Sequence, residues 1–391
     1  MPGNKQQTDI TAAIHLAEHS GVFCVSGGGS GAIQQLLSMP GASNTVLECS
    51  IPYSQAAMQS YLGRTPVSAV SSETALQMAM VAYQRANALN GESAATNFGL
   101  SCTAALATER ARKGTDRAYI AIQSQQSTVL HALEFKEDPA SELADMVARQ
   151  AVRGAQEQAL SRAIIVLLAE FIAAISPRKN ETNDAFECVT ERMDAPSAWQ
   201  QIMNQSEGST YIPAGLPCIF PGAFNPPHAG HEKIKKIAEE VTGRDTYFEL
   251  SIHNVDKPSL DYLDISKRLA SLESSGQVLL TNAPTFVEKA RLFPGAVFAV
   301  GVDTLERIDE PRYYNNADTR DAAIEEMAHL GASFLVFGRL MDGQFVTLEG
   351  LDLSQPLKDL CKPLPEKRFR EDISSSAIRA EPRAEPRAEP K

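Results

Sequence analysis

The sequence predicts an α/β protein of two domains, on three observations. Short apolar runs alternate with segments of helical period through both halves. Glycine-containing turns follow an apolar run at 26–31 and again at 222–230. A polar, Gly- and Pro-rich stretch, 177–215, separates halves of different texture. The 391 residues suffice for two independent cores. Hydrophobic residues make up 43% and charged residues 21%, an ordinary globular mixture and not a disordered one. The net charge of −12 argues against a general nucleic-acid binder, which needs a basic surface to release counterions. A local phosphate pocket stays compatible with it.

In the first domain, 1–176, Val22-Phe23-Cys24-Val25 reads as a buried strand. It runs into Ser26-Gly27-Gly28-Gly29-Ser30-Gly31 and a helix from Ala32 to Met39, stopped by Pro40-Gly41. Thr45–Cys49 and Tyr119–Ile122 read as further strands. Ser71 to Leu89 has helical period, and a long helical region runs from Asp138 to Ile175. The stretch 177–215 reads as a linker with some helix around Pro196 to Asn204. The second domain, 216–379, alternates strands (Cys218–Phe220, Thr246–Ile252, Gln277–Leu280, Ala296–Val300, Ser333–Phe337) with helices (His231–Glu240, Ser259–Leu272, Ala322–Leu330). That spacing predicts a parallel, Rossmann-like sheet with right-handed crossovers. The tail 380–391 repeats AEPR and has too little apolar surface to pack, so disorder is expected.

The six cysteines (Cys24, Cys49, Cys102, Cys188, Cys218, Cys361) show no C-x-x-C spacing, which points to free thiols in a reducing compartment. No apolar stretch of signal-peptide length opens the sequence. The longest apolar run, Ala163 to Ile175, contains Glu170 and falls short of the roughly 20 residues a membrane span needs. A cytoplasmic protein that binds neither membrane nor nucleic acid is expected.

The strongest signal is Gly222-Ala223-Phe224-Asn225-Pro226-Pro227-His228-Ala229-Gly230-His231, leading from a strand into a helix. Two imidazoles at a helix N-terminus converge where the dipole and free N–H groups favour an anion, and Gly230 adds no side chain there. Imidazole N–H groups can stabilise charge that rises on a phosphoryl group in the transition state. Far downstream, Ser374-Ser375-Ser376 and Arg379 offer hydroxyls and a planar cation suited to outer phosphates. Between them Gly301-Val302-Asp303 ends a strand, the edge where open parallel sheets bind ligands. The competing readings are a metal pair for H-x-x-H, with His253 as the nearest third histidine, a plain helix cap for the serines, and a cap for Asp303.

These segments, in this order over about 217–379, resemble the H-x-G-H nucleotidyltransferase superfamily, and within it the nicotinamide or nicotinate mononucleotide adenylyltransferases. The resemblance implies adenylyl transfer from ATP to the mononucleotide, with Mg²⁺ on the phosphates. His228 and His231 would hold the α- and β-phosphates. Ser374 to Ser376 and Arg379 would hold the outer phosphates and leaving group. Gly222, Ala223, Phe224 and Gly230 would shape the nucleotide site, and Gly301 and Asp303 would face the nucleotide. Related members use CTP, or accept a phosphorylated alcohol or pantetheine phosphate. Trp199, Phe220, Phe224, Phe286, Tyr313 and Tyr314 are the aromatics weighed for stacking on the acceptor.

In the first domain, Ser26 to Gly31, then Pro40-Gly41-Ala42-Ser43, then Tyr53-Ser54 resemble the C-terminal domain of CinA, the nicotinamide mononucleotide deamidase family, over about 8–175. The resemblance implies an α/β/α domain with Ser26 at the nucleophile and Tyr53 at the family tyrosine. Ser26, Gly27, Gly28 and Tyr53 would form a ligand site. The departures are Val25 for glutamate, Gly27 and Gly28 for Cys and Thr, and Met58 for lysine. A serine without a base is a poor nucleophile, so weak or absent deamidase activity is expected, unless His131 or Lys113 substitutes. The leading expectation is synthesis of NAD or its deamido form by a homo-oligomer. The rivals are an amidohydrolase working through the first domain and a non-catalytic pyridine-nucleotide binder.

Overall fold

The computed structural model describes residues 10–108, 114–136, 146–175, 185–255, 258–341, 343–371, 375 and 378, with 92–94 by backbone alone. Lys113, Ser374, Ser376, Arg379 and the tail 380–391 lie outside the described residues. The chain divides into two compact units. One holds Met1–Gln200 with Asp256–Asp264, and the other Gln201–Val255 with Ile265–Lys391.

The first unit is built on a six-stranded sheet ordered β2-β1-β3-β4-β5-β6, with β1 Ser20–Ser26, β2 Val46–Ser50, β3 Asn97–Ala105, β4 Arg117–Ser124, β5 Ser127–Phe135 and β6 Phe186–Asp194. The pairs β1–β2 and β1–β3 are parallel, and the remaining three pairs are antiparallel. Period-2 alternation sends neighbouring β1 side chains to opposite layers. Phe23 and Val25 join a core with α1 (Ser30–Leu37) and α4 (Met146–Phe171). Val22 and Cys24 pack instead with residues of α2 (Gln55–Leu62) and α3 (Ser72–Leu89). The result is an α/β/α sandwich. Ser71 caps α3 by accepting the Thr74 N–H.

Three strands here escape the sequence reading. β3 contains Gly99–Ala104, and it is buried on both faces, so it lacks the alternation that marks a half-exposed strand. Gly99 lets α3 approach closely, because a Cβ there would lie 2.2 Å from the Ala79 carbonyl oxygen. β5 likewise has few exposed positions. Within the expected linker, Phe186–Asp194 is an edge strand paired with β5 along its whole length. Its exposed, charged face explains the linker-like composition. Residues 258–264 also pack in this unit. Leu263 joins Ala75, Leu76, Ala79, Ala121 and Leu130, and the Tyr262 hydroxyl donates to the Gln125 carbonyl at 2.7 Å.

The second unit carries a wholly parallel six-stranded sheet: β7 Cys218–Pro221, β8 Thr246–Ser251, β9 Val278–Thr281, β10 Val297–Gly301, β11 Ser333–Phe337 and β14 Cys361–Pro363. The order β9-β8-β7-β10-β11-β14 is third, second, first, fourth, fifth, sixth within the unit, the doubly wound arrangement. Helices α5 (Ala229–Thr242) and α6 (Tyr262–Leu272) supply Ile237, Ala238 and Leu272 to one core. Helices α7 (Phe286–Leu292), α8 (Val302–Asp309) and α9 (Ala317–His329) cover the other face. A hairpin of β12 (Arg339–Met341) and β13 (Gln344–Val346) follows β11. Strand order reverses between β7 and β10, and ligands bind such sheets in the crevice outside the carboxyl ends of the strands at that point.

Candidate functional site

The loop after β7 and the start of α8 after β10 flank this switch point. Phe224 shapes the loop. Its φ is +45° and it is 2% exposed, so the ring turns inward against Phe220, Phe248 and His231 at centroid separations of 5.5, 5.1 and 5.1 Å. Gly222 is needed beneath it, because a Cβ there would sit 2.6 Å from that ring. The Gly222 N–H donates to the Glu249 carbonyl at 3.0 Å, and Arg268 donates to the Ala223 carbonyl at 2.8 Å. The loop is therefore held from both β8 and α6.

His228 takes the N-cap position of α5 in extended conformation, and Gly230 is buried in the first turn. The two imidazoles stack with centroids 3.8 Å apart. The His228 backbone N–H donates to His231 Nδ1 at 3.1 Å. Burial first, then the charges of His228 and Arg339, push the His231 imidazole down to about 4. His228 is lowered by burial and by Arg339, and raised in part by Glu371. Both rings are therefore neutral near pH 7. With Nδ1 of His231 accepting, its proton resides on Nε2, which makes Nε2–H a fixed donor. The buried Nδ1 of His228 meets no hydrogen-bond partner among the described residues.

The downstream serine segment reaches this loop. Ser375 Oγ donates to the Pro226 carbonyl at 2.8 Å, joining the two motifs that lie 149 residues apart. Glu371 adds a 2.6 Å ion pair with Lys233 of α5. Gly301 ends β10 and stands at the N-cap of α8, and Asp303 lies in its first turn. Asp303 does not cap the helix. Its Oδ2 accepts from Arg339 Nη1 at 2.9 Å. Arg339, whose charge reaches both imidazoles, escaped the sequence reading. Its signal is a Gly-Arg pair directly after the apolar strand 333–337, at the sheet edge that holds the site. Of the aromatics considered for stacking, Phe220 and Phe224 belong to the core around His231, and Phe286 is packed against Phe298 and Phe334. The Tyr314 hydroxyl donates to the Ile308 carbonyl. Trp199 lies in the first unit, 6.4 Å from Tyr262.

In the first unit, a cleft of about 330 Å³ is lined by Ser26, Gly27, Gly28, Ser30, Tyr53, Arg153 and Glu157, among others. Gly27 has φ +80°, and a Cβ there would meet the Ala104 carbonyl oxygen at 1.9 Å. Ser26 Oγ donates to the Pro52 carbonyl at 3.1 Å. Three donors of the glycine turn are engaged within the chain. Glu157 of α4 accepts from Gly29 N–H (2.8 Å), Gly31 N–H (3.2 Å) and Ser30 Oγ (3.0 Å). The α1 N-terminus is thus capped by a carboxylate of the same chain, while Ser26, Gly27, Gly28 and Tyr53 share one cleft. Met58 is 3% exposed in an apolar cluster with Cys24, Leu62 and Met78, and supplies no base. His131 bonds Thr190 Oγ1 at 2.9 Å and is pushed down to about 4 by burial. It lies on β5, three strand spacings from β1, roughly 14 Å, so it cannot deprotonate Ser26.

Doubly wound sheets bind ligands at such a switch point. Residues 219–381, less than half of the chain, match the family model described as cytidylyltransferase-like. The first part of the chain is similar to solved structures of competence-damage proteins. One is the competence/damage inducible protein CihA of Agrobacterium tumefaciens, at 22% identity over 42% of this chain and 90% of that one, with TM-score 0.31. Others are CinA superfamily proteins of Klebsiella pneumoniae (16%, 44% and 98%, 0.32) and Escherichia coli (14%, 43% and 88%, 0.30). No curated protein matches the chain. Among the described residues, no helix is long and apolar enough to cross a membrane.

Proposed function

We propose that the C-terminal domain transfers an adenylyl group from ATP to nicotinamide or nicotinate mononucleotide, giving NAD or deamido-NAD and pyrophosphate. The observation that carries this reading is the Ser375–Pro226 hydrogen bond, which draws the serine segment to the histidine loop so that both can address one triphosphate. A 5′-phosphate oxygen of the acceptor attacks the α-phosphorus. The bond from the α-phosphorus to the bridging oxygen breaks, and pyrophosphate leaves with that electron pair. His231 Nε2–H donates to the α-phosphoryl oxygens as their charge rises, and His228 binds beside it. Ser374, Ser376 and Arg379 complete the hold on the outer phosphates. Gly222, Ala223, Gly230 and Gly301 line the nucleotide's path. Mg²⁺ arrives with the triphosphate and neutralises part of its charge. Catalysis then needs positioning and charge stabilisation, with no covalent enzyme intermediate.

The test incubates the full chain with Mg-ATP or Mg-CTP and a panel of mononucleotides and phosphorylated alcohols, read for pyrophosphate and coupled product. Pyrophosphate formed only with a pyridine mononucleotide and ATP supports the proposal. Release with CTP and a phosphorylated alcohol would move the specificity and keep the reaction class. None with any pair would end it. Ammonia release from nicotinamide mononucleotide that survives His231→Ala and vanishes in Ser26→Ala would revive the amidohydrolase reading. The engaged Glu157 and the apolar Met58 argue against it. We also propose self-association as a homo-oligomer, to be read by light scattering.

A further inference from the structure

Three sheet ends meet around the switch point of the second unit. The imidazole pair follows β7, Asp303 follows β10, and Arg339 stands two residues past β11, its backbone registered against Val346 in the β12–β13 hairpin. The Arg339–Asp303 pair is not a buried structural bridge. Its side chains are 42% and 31% exposed. Ion pairs this accessible contribute less than about a tenfold bias to an equilibrium. A guanidinium carries five N–H donors in a fork that matches phosphate, and Asp303 takes one on Nη1. A polyphosphate offers more charge and more acceptors than one carboxylate, and guanidinium–phosphate bonds are charge-assisted and often bidentate. Strands β7 and β11 both border β10, so the imidazole loop and Arg339 leave the sheet about two strand spacings apart, roughly 10 Å, within the span of one polyphosphate, and the charge of Arg339 lowers both imidazoles.

We propose that Arg339 is a phosphate-binding residue of this site, and that Asp303 is the counter-ion it exchanges for the triphosphate. Asp303 thereby parks the guanidinium at the edge of the sheet. The inference rests on the nucleotidyl-transfer reading for its substrate, though not for its ligand class, which is a polyphosphate. It differs from the expectation that Asp303 addresses the nucleotide alone.

The test uses the full chain with Arg339→Ala and Arg339→Lys. In steady-state pyrophosphate release, Arg339→Ala is expected to raise the KM for the triphosphate about 10- to 100-fold, the scale of one lost charge-assisted contact. The KM for the acceptor should stay within about twofold. Arg339→Lys keeps the charge but loses the fork, so its triphosphate KM should fall between the two. Inorganic tripolyphosphate binding by calorimetry gives a second readout that needs no turnover, and weakening there by a similar factor is expected. An unchanged triphosphate KM and unchanged tripolyphosphate affinity in Arg339→Ala would overturn the inference. If the wild-type chain releases no pyrophosphate but binds tripolyphosphate through Arg339, the reaction assignment fails and the binding residue stands. Thermal melts check that both variants are folded. The ring resonances of His228 and His231 should titrate at higher pH in Arg339→Ala, an effect a merely structural arginine elsewhere would not produce.

Discussion

A neutral His231 has a consequence for catalysis that a pH profile can expose. Burial beside Phe220 and Phe224, with Arg339 nearby, pushes this imidazole down from 6.5 to about 4. Its Nδ1 already accepts the His228 N–H, so the catalytic donor is Nε2–H of the neutral ring. Protonating Nδ1 would break that bond and add a second cation near Arg339. Burial, the largest cause, therefore favours the neutral ring across the physiological range. Activity from this group should therefore be constant from pH 9 down through 6.5 and fall only as pH approaches 4. The assay is kcat/KM for pyrophosphate release, which reports groups of the free enzyme and free substrates. Dividing the wild-type profile by that of His231→Ala removes titration of the substrate phosphates. His231→Ala itself should lower kcat about 10²–10³-fold, as for loss of one electrostatic donor. A limb that falls as pH rises through 6–7 and disappears in His231→Ala would show that the imidazolium is the working form, and would refute the reasoning.

Three further outcomes follow from the geometry. Ser375→Ala removes the tether to Pro226 and, at about 0.5–1.5 kcal/mol for one hydrogen bond, should raise the triphosphate KM by a factor of about 2–10 with little change in kcat; steady-state kinetics decide it. Met58→Lys would bury an ammonium among Cys24, Leu62 and Met78, so it should lower the melting temperature without producing ammonia from nicotinamide mononucleotide. In the first unit, Leu263→Ala should cost about 2–5 kcal/mol and Tyr262→Phe about 1–2 kcal/mol in urea unfolding, by loss of packing against Ala75 and Leu130 and of the bond to Gln125.

Much of the strand–helix alternation of the second unit was legible because β7, β9, β10 and β11 are short, mostly apolar runs, whereas β14, Cys-Lys-Pro, carries no such signal. The histidine motif was legible because its residues are contiguous. What the sequence concealed is of two kinds. The stretch 258–264 looks like any helix start, and only packing shows that Leu263 serves the core of the first unit. Charge pairing was hidden for a related reason. Asp303 and Arg339 lie 36 residues apart on different strand ends, and nothing local marks them as partners. β6 was concealed by its exposed positions, where Glu187, Glu191 and Arg192 give an edge strand the composition of a linker.

The two glycine-containing turns show why one signal carried different weight in each half. Both are strand, glycine loop, helix, and both present backbone donors at a helix start. In the first unit three donors are engaged within the chain. Gly29, Ser30 and Gly31 all give to Glu157, which comes from a helix more than a hundred residues downstream that no local reading connects to the loop. In the second unit the loop keeps polar atoms unmatched. His228 Nδ1 is buried without a partner among the described residues, and His231 holds Nε2–H as its remaining donor. Leaving such a group unpaired costs about 1–3 kcal/mol. Glu157 caps the first turn from within the chain, whereas the second keeps the His231 Nε2–H donor, and that contrast is the reason for proposing the chemistry at the histidine pair.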